Sequence, residues 1–338
     1  MGDMSLEVRV DPIIPSRVTI ISTIRRYRPK EVTSIKHEVS NYSVRCPFCP
    51  GNEDLTPPAS LALRLVDGRL ELCRESDGYR CSDWIVRIFP NKYPVFSLDA
   101  AGGGFGYHEV VVETPKHRTR PHDLTPEEWG LAFAAAFKRV EEFLSDSRIR
   151  HAVLIKNYGG GGGASLEHTH MQIMGTSIIP PLILEEIRYS SIKYRNYGEC
   201  PYCSIISSEI NSPRYIYSND AFVVLAAYAP RQSYEVCIYP LKHESMPMAE
   251  FTYLVKLGDA LSRVLRAYLA ILPDIDFNFW IHMRPKDCCS EFYHWHLELM
   301  PATPMWGGLE KGYGLHVVTT APEEAAYDLK KYMGIGFS

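Results

Sequence analysis

The 338-residue chain writes one series of residues twice, and a chain that repeats itself is constrained to fold as a repeated structure. The first copy runs Cys46-Pro-Phe-Cys49, then Glu109-Val110 leading to Pro115-Lys-His117, then a helical pattern, a strand pattern and His168-Thr-His170-Met-Gln172. The second runs Cys200-Pro-Tyr-Cys203, then Glu235-Val236 leading to Pro240-Leu-Lys-His243, a helical pattern, a strand pattern and His294-Trp-His296-Leu-Glu298. Glu and His stand 8 residues apart in each copy (109 to 117 and 235 to 243), and the next His follows after 51 (117 to 168 and 243 to 294). Equal gaps between matching residue types read as a duplication, with halves at 1–180 and 181–338 that part within residues 178–199.

The periodicity fills in each half. Residues 123–146 predict an N-capped amphipathic helix, opening on Asp123 and Thr125-Pro-Glu-Glu128 and carrying Trp129, Phe133, Phe137 and Val140 on one face. Residues 249–272 predict its counterpart. Short apolar runs at 109–113, 151–158 and 277–283 predict strands. One long helix per half on a mostly antiparallel sheet is an α+β architecture.

Composition restricts the partners. At 46% apolar and 22% charged residues the chain is an ordinary globule, and a net charge of −4 gives no concentrated basic surface for nucleic acid or an anionic membrane. No run of about 18 apolar residues is present, and residues 1–12 are polar and acidic, so neither a membrane span nor a signal peptide is expected and the compartment is cytoplasmic. Nine cysteines, four of them in two Cys-Pro-aromatic-Cys knuckles, favour metal over disulfides in a reducing compartment. Cys73, Cys81, Cys237, Cys288 and Cys289 lack such spacing and are expected as packed thiols.

Two knuckles, each followed by histidines at matched distances, predict two closed Cys₂His₂ zinc sites: Cys46, Cys49, His117 and His168, then Cys200, Cys203, His243 and His294. If 168–172 is a strand, His168, His170 and Gln172 share a face. The row stands beside Asn157 and the loop Gly159 to Gly163, whose backbone can approach a phosphate closely.

Gly163-Ala-Ser165-x-x-His168-x-His170-x-Gln172 resembles the active-site signature of the galactose-1-phosphate uridylyltransferase family, a branch of the histidine-triad superfamily made of two fused triad-type halves. Cys46 to Asn52, Asn91-Lys-Tyr-Pro94, His108 to His117 and Gly307 to Gly314 agree, and the resemblance spans about Arg25 to Ala326. It departs from the pattern at Thr169, where the family has Pro, and at Met171, where it has Gly. The resemblance implies that His170 takes a nucleotidyl group from a nucleotide sugar, releases a sugar 1-phosphate and passes the group to a second sugar phosphate. It also implies that Gln172 and Ser165 attend the phosphoryl oxygens, that Arg25, Arg28, Asn91, Asn157 and Gly163 contact substrate, and that Lys311 and Tyr313 reach the hexose across a homodimer. The expected reaction exchanges UMP between UDP-glucose and galactose 1-phosphate. An adenylyl transfer or phosphorolysis on ADP-glucose is the alternative, and a nucleotide-binding protein without turnover is a further one. Bacterial relatives build the second metal site from one Glu and three His, for which Glu186, His282, His294 and His296 are the candidates. The second half has Glu298 in place of Gln172 and no glycine loop, so catalysis is expected in the first half alone.

Overall fold

A computed structural model describes residues 6–27, 45–117, 119–272, 274–303 and 306–334. Its strands are β1 (Leu6–Val10), β2 (Val18–Ser22), β3 (Leu61–Val66), β4 (Arg69–Cys73), β5 (Trp84–Pro90), β6 (Gly106–Val112), β7 (His151–Tyr158), β8 (His170–Thr176), β9 (Tyr215–Ser218), β10 (Phe222–Ala226), β11 (Val236–Pro240), β12 (Phe277–His282), β13 (His296–Pro301) and β14 (Leu315–Val318). The α-helices are α1 (Pro126–Ser145), α2 (Pro181–Tyr197), α3 (Pro201–Glu209), α4 (Phe251–Ile271), α5 (Gly308–Tyr313) and α6 (Pro322–Tyr332).

Eleven strands form one sheet in the order β4-β3-β5-β6-β8-β7-β12-β13-β11-β10-β9, every pairing antiparallel. The two copies meet at its centre, where β7 lies against β12 with Asn157 opposite Asn278. The α+β class expected from the sequence is therefore observed, with one sheet shared by both copies. β2 pairs with both β1 and β14 in a separate three-stranded sheet, so residues near the start of the chain pack beside those near its end.

Both long helices begin where the sequence caps them. Thr125 accepts from the Glu128 amide at 3.2 Å and the Glu128 carboxylate accepts from the Thr125 amide at 2.9 Å, a reciprocal cap that starts α1 after Pro121–Asp123 has made a 3-10 turn. At α4 the Glu250 carboxylate takes the amides of Thr252 and Tyr253. The helices cross closely because Gly258 has no Cβ: one added there would stand 2.5 Å from the Pro126 carbonyl oxygen. Trp129, Phe133 and Phe137 of α1 and Leu257, Leu261 and Val264 of α4 are buried against the sheet with Phe279 and Trp295. Helix content exceeds one helix per half, because α2 fills the segment where the halves part and α3, α5 and α6 follow. No helix of the described residues is long and apolar enough to cross a membrane.

The duplication is not carried through every strand. Val110 pairs with Gln172, whereas Cys237 pairs with Glu298, a one-residue slip relative to the 126-residue offset of the histidines. A slip of one turns side chains to the opposite face. Glu109 accordingly bonds Arg139 of α1, while Glu235 bonds Arg231 on the side of the sheet facing away from α1 and α4. One cysteine expectation is also corrected. Cys73 and Cys81 form a disulfide rather than packed thiols, because the end of β4 and the turn after it bring their Cα atoms to 6.4 Å.

Candidate active site and metal clusters

β8 begins at His170, so His168 stands just before the strand and only His170 and Gln172 share its face. Their cross-strand partners Val112 and Val110 are buried with Phe48 and Phe89 on that side, while Met171 enters the core beneath the helices. His170 is 7% exposed and its ring meets Phe48 edge-on at 5.2 Å. Its Nδ1 lies 2.9 Å from the His168 carbonyl oxygen. A carbonyl can only accept, so Nδ1 carries the proton and Nε2 keeps its lone pair. Burial, with a smaller contribution from Lys156, depresses His170 to about 4 against the opposing hydrogen bond, which keeps the imidazole neutral near pH 7.

Gln172 is oriented in the same way. The His108 Nδ1 accepts from the Val95 amide at 3.0 Å, so its Nε2–H donates to the Gln172 Oε1 at 2.8 Å. The Gln172 amide nitrogen is left as a donor. Asn91 lies beside this pair, its Oδ1 accepting from the Tyr93 amide at 2.9 Å.

The glycine loop follows β7 and is held by β12 of the other copy. The Gly161 amide donates to the Asp276 carboxylate at 2.6 Å, and Asn278 Nδ2 donates to both the Gly162 carbonyl and the Asn157 Oδ1 at 2.7 Å. Gly159 has φ +73°, and a Cβ there would collide with Asp276 at 1.7 Å. Ser165 is exposed at the end of the loop, beyond Gly163 with φ +80°.

The metal candidates gather as two tetrads. The ligand atoms of Cys46, Cys49, His117 and His168 lie within 4.8 Å of one another, as do those of Cys200, Cys203, His243 and His294. In the first, Cys49 Sγ is 3.3 Å from His117 Nδ1 and 3.7 Å from His168 Nδ1. In the second, Cys203 Sγ is 3.4 Å from His243 Nδ1 and 3.6 Å from His294 Nδ1. Zn–S near 2.3 Å and Zn–N near 2.1 Å give a tetrahedral S···N edge of about 3.6 Å, so both sets fit zinc. Three of the four histidines also donate Nε2–H to a carbonyl, His168 to Thr114, His294 to Pro240 and His243 to Ser290, which presents Nδ1 as the ligand. The Glu-and-histidine alternative is split, because His294 faces the cysteines while Glu186, His282 and His296 form a group of their own. There Glu186 accepts from His282 at 2.6 Å and from the Tyr293 hydroxyl at 2.7 Å. Glu298, the counterpart of Gln172, is taken by Arg17, Arg231 and the Trp280 indole.

The remaining expected contacts lie further out. Arg25 is exposed on a 3-10 helix at Thr23–Tyr27, Lys311 and Tyr313 are exposed on α5 beside β14, and Arg28 lies outside the described residues. The sequence reading missed Lys156, Glu113, His108, Asp276 and Asn278. Lys156 carried a usable signal, a charge directly after the apolar run Ala152-Val-Leu-Ile155 and on the strand face of Leu154, but its partner Glu113 is 43 residues away.

Comparison with known proteins gives full-length likenesses. The chain is 28% identical to ADP-glucose phosphorylase of Arabidopsis thaliana, covering 96% of this chain and 92% of the relative. It is 26% identical to galactose-1-phosphate uridylyltransferase of Thermotoga maritima, covering 96% and 98%. The crystal structure of an ADP-glucose phosphorylase from Arabidopsis thaliana with bound ADP-glucose superposes with a TM-score of 0.82 at 26% identity, over 97% of this chain and 99% of that one. A uridylyltransferase structure shares the fold, with a TM-score of 0.73 at 23% identity over 97% and 98%. No family model matches the chain.

Proposed function

Given that the chain belongs to the galactose-1-phosphate uridylyltransferase family of the histidine-triad superfamily, we propose that it transfers a nucleotidyl group from a nucleotide sugar through a nucleotidyl-histidine at His170. The observation that carries this is the fixed tautomer: Nδ1–H is held by the His168 carbonyl, so the Nε2 lone pair is the free nucleophile. Nε2 attacks the α-phosphorus, the P–O bond to the β-phosphate breaks, and a sugar 1-phosphate leaves. In the second half-reaction an acceptor phosphate oxygen attacks the same phosphorus, the N–P bond breaks and its electron pair returns to Nε2. Gln172 donates its amide to a phosphoryl oxygen, and the Ser165 hydroxyl, exposed at the end of the glycine loop, holds another as charge redistributes. A carboxamide cannot protonate a leaving group, which favours transfer over hydrolysis.

Cys46, Cys49, His117 and His168 would hold a structural zinc in the first tetrad, and these ligands would fix the chain immediately before the nucleophile. Cys200, Cys203, His243 and His294 would brace the other copy in the same way.

Between the two donors, we infer ADP-glucose with inorganic phosphate as acceptor, which reverses the order set by the sequence alone. The Arabidopsis phosphorylase and its ADP-glucose complex support this reading; the Thermotoga uridylyltransferase supports UDP-glucose as the second. Initial rates with ADP-glucose plus phosphate and with UDP-glucose plus galactose 1-phosphate decide the matter. Parallel double-reciprocal lines with the adenine pair are expected. Lines that intersect would remove the covalent route, and faster turnover with the uridine pair would restore the first order.

A further inference from the structure

We propose that Lys156, Glu113 and Thr169 form a positioning network that holds His170 in register for attack, an inference that rests on the nucleotidyl-histidine reading above. The Lys156 Nζ lies 2.7 and 2.8 Å from the two Glu113 carboxylate oxygens, 2.7 Å from the Thr169 hydroxyl and 3.2 Å from the His170 carbonyl oxygen. The Thr169 hydroxyl in turn donates to Glu113 at 2.5 Å. All three residues are at most 2% exposed, on the helix side of the sheet, with Nζ 5.6 Å from the centre of the Trp129 ring.

The arrangement captures the nucleophile's own peptide. The Thr169 hydroxyl turns to Lys156 and Glu113 on the helix side, opposite the His170 ring, and Thr169 is the residue that replaces the family's proline. Proline would offer neither a hydroxyl to Glu113 nor an acceptor to Lys156. Glu113 and Thr114 are adjacent, and between them they hold all three residues of the motif: Thr114 accepts from the metal-facing His168, and Glu113 holds Thr169 and, through Lys156, the His170 carbonyl. Packing alone needs no such groups, since buried ion pairs are commonly replaced by apolar residues of similar volume without loss of stability. Glu113 and the Thr169 hydroxyl fix the Lys156 ammonium, which alone reaches the His170 carbonyl, and a cluster so built is accounted for by a demand on the position of that histidine, because displacing a reacting group by a fraction of an ångström costs large factors in rate.

Single-turnover formation of the nucleotidyl-enzyme tests this in the full chain, with Thr169→Val, Thr169→Ser and the paired change Lys156→Met with Glu113→Leu, which leaves no buried charge unpaired. Thr169→Val is expected to slow the step about 10- to 100-fold with KM changed less than about twofold and zinc content unchanged, and Thr169→Ser to return it to within about threefold of wild type. The paired variant is expected to melt near the wild-type temperature yet be slowed in the same way. A wild-type rate in Thr169→Val, or a serine variant no better than valine, would overturn the network. If the wild type itself forms no nucleotidyl-enzyme with either donor, the functional reading fails, and ¹⁵N spectra of the His170 ring, assigned by its loss in His170→Asn, judge the network separately. Both tautomers in Thr169→Val against Nδ1–H alone in wild type support it; identical spectra refute it.

Discussion

At the scale of single residues, the proposed nucleophile is set by one hydrogen bond. Had the His170 Nδ1 met a donor instead of the His168 carbonyl, the proton would sit on Nε2 and that nitrogen would be no nucleophile. His170→Gly removes the imidazole and leaves its pocket, so it is expected to lose at least about 10³-fold in exchange and to regain turnover with a nucleoside phosphorimidazolide supplied in solution. An unrescued glycine variant with intact zinc would count against Nε2 as the point of attachment. That the eight tetrad residues gather as two groups was legible because each set is written twice at equal spacing, and that His170 and Gln172 share a face because alternate residues of a strand do. The groups that aim them were not: His108 stands 64 residues from Gln172 and Glu113 stands 43 from Lys156, and no spacing rule joins such pairs.

At the scale of elements, each copy depends on the other. β12 contributes no reacting group, yet Asp276 and Asn278 fix the loop that follows β7. Asp276→Ala removes a charged hydrogen bond of about 1.5–3 kcal/mol, so kcat/KM for the nucleotide sugar is expected to fall roughly 10-fold or more while zinc stays bound. An unchanged kcat/KM would mean that the loop holds its shape without it. α6 is tied to β1 through Glu323, which takes Arg9 at 2.9 Å and Arg214 at 2.6 Å. Burial alone would push the Glu323 carboxyl up, but the hydrogen bonds from Arg9 and Arg214 outweigh it and hold the group below its ordinary 4.5. A depressed carboxyl contributes stability above its unfolded value and loses it as pH falls through the folded one. The melting temperature of Glu323→Gln should therefore lie below wild type near pH 7, with the gap closing as pH is lowered beneath about 4.5. A gap independent of pH would refute the link. Capped helices such as α1 and α4 were legible because cap and apolar stripe lie within a few residues of each other. The face reversal between Glu109 and Glu235 was not, since equal spacing is silent about a one-residue slip in pairing.

At the scale of the whole molecule, duplication followed by divergence explains why one chain holds two metal tetrads and one candidate catalytic row. The tetrads keep the same ligand types and Nδ1 geometry, so elemental analysis is expected to find about two zinc per chain, falling to about one in His243→Ala. A single zinc with His243→Ala fully loaded would remove the second site. His296 keeps the same backbone bond as His170, its Nδ1 at 3.1 Å from the His294 carbonyl, but the glycine loop is missing and Glu298 is engaged by two arginines. A row without a glycine loop, whose carboxylate is already bonded to Arg17 and Arg231, offers no amide donor to a phosphoryl oxygen. Reaction at one row of the two fixes a count as well as a location, and intact-mass spectrometry of the protein after incubation with ADP-glucose or UDP-glucose without acceptor reads both. One nucleotidyl group per chain, mapped to the peptide holding His170 and discharged by phosphate or a sugar 1-phosphate, is the predicted result. A chain that stays unmodified while turning over, or an adduct on any residue other than His170, would contradict it.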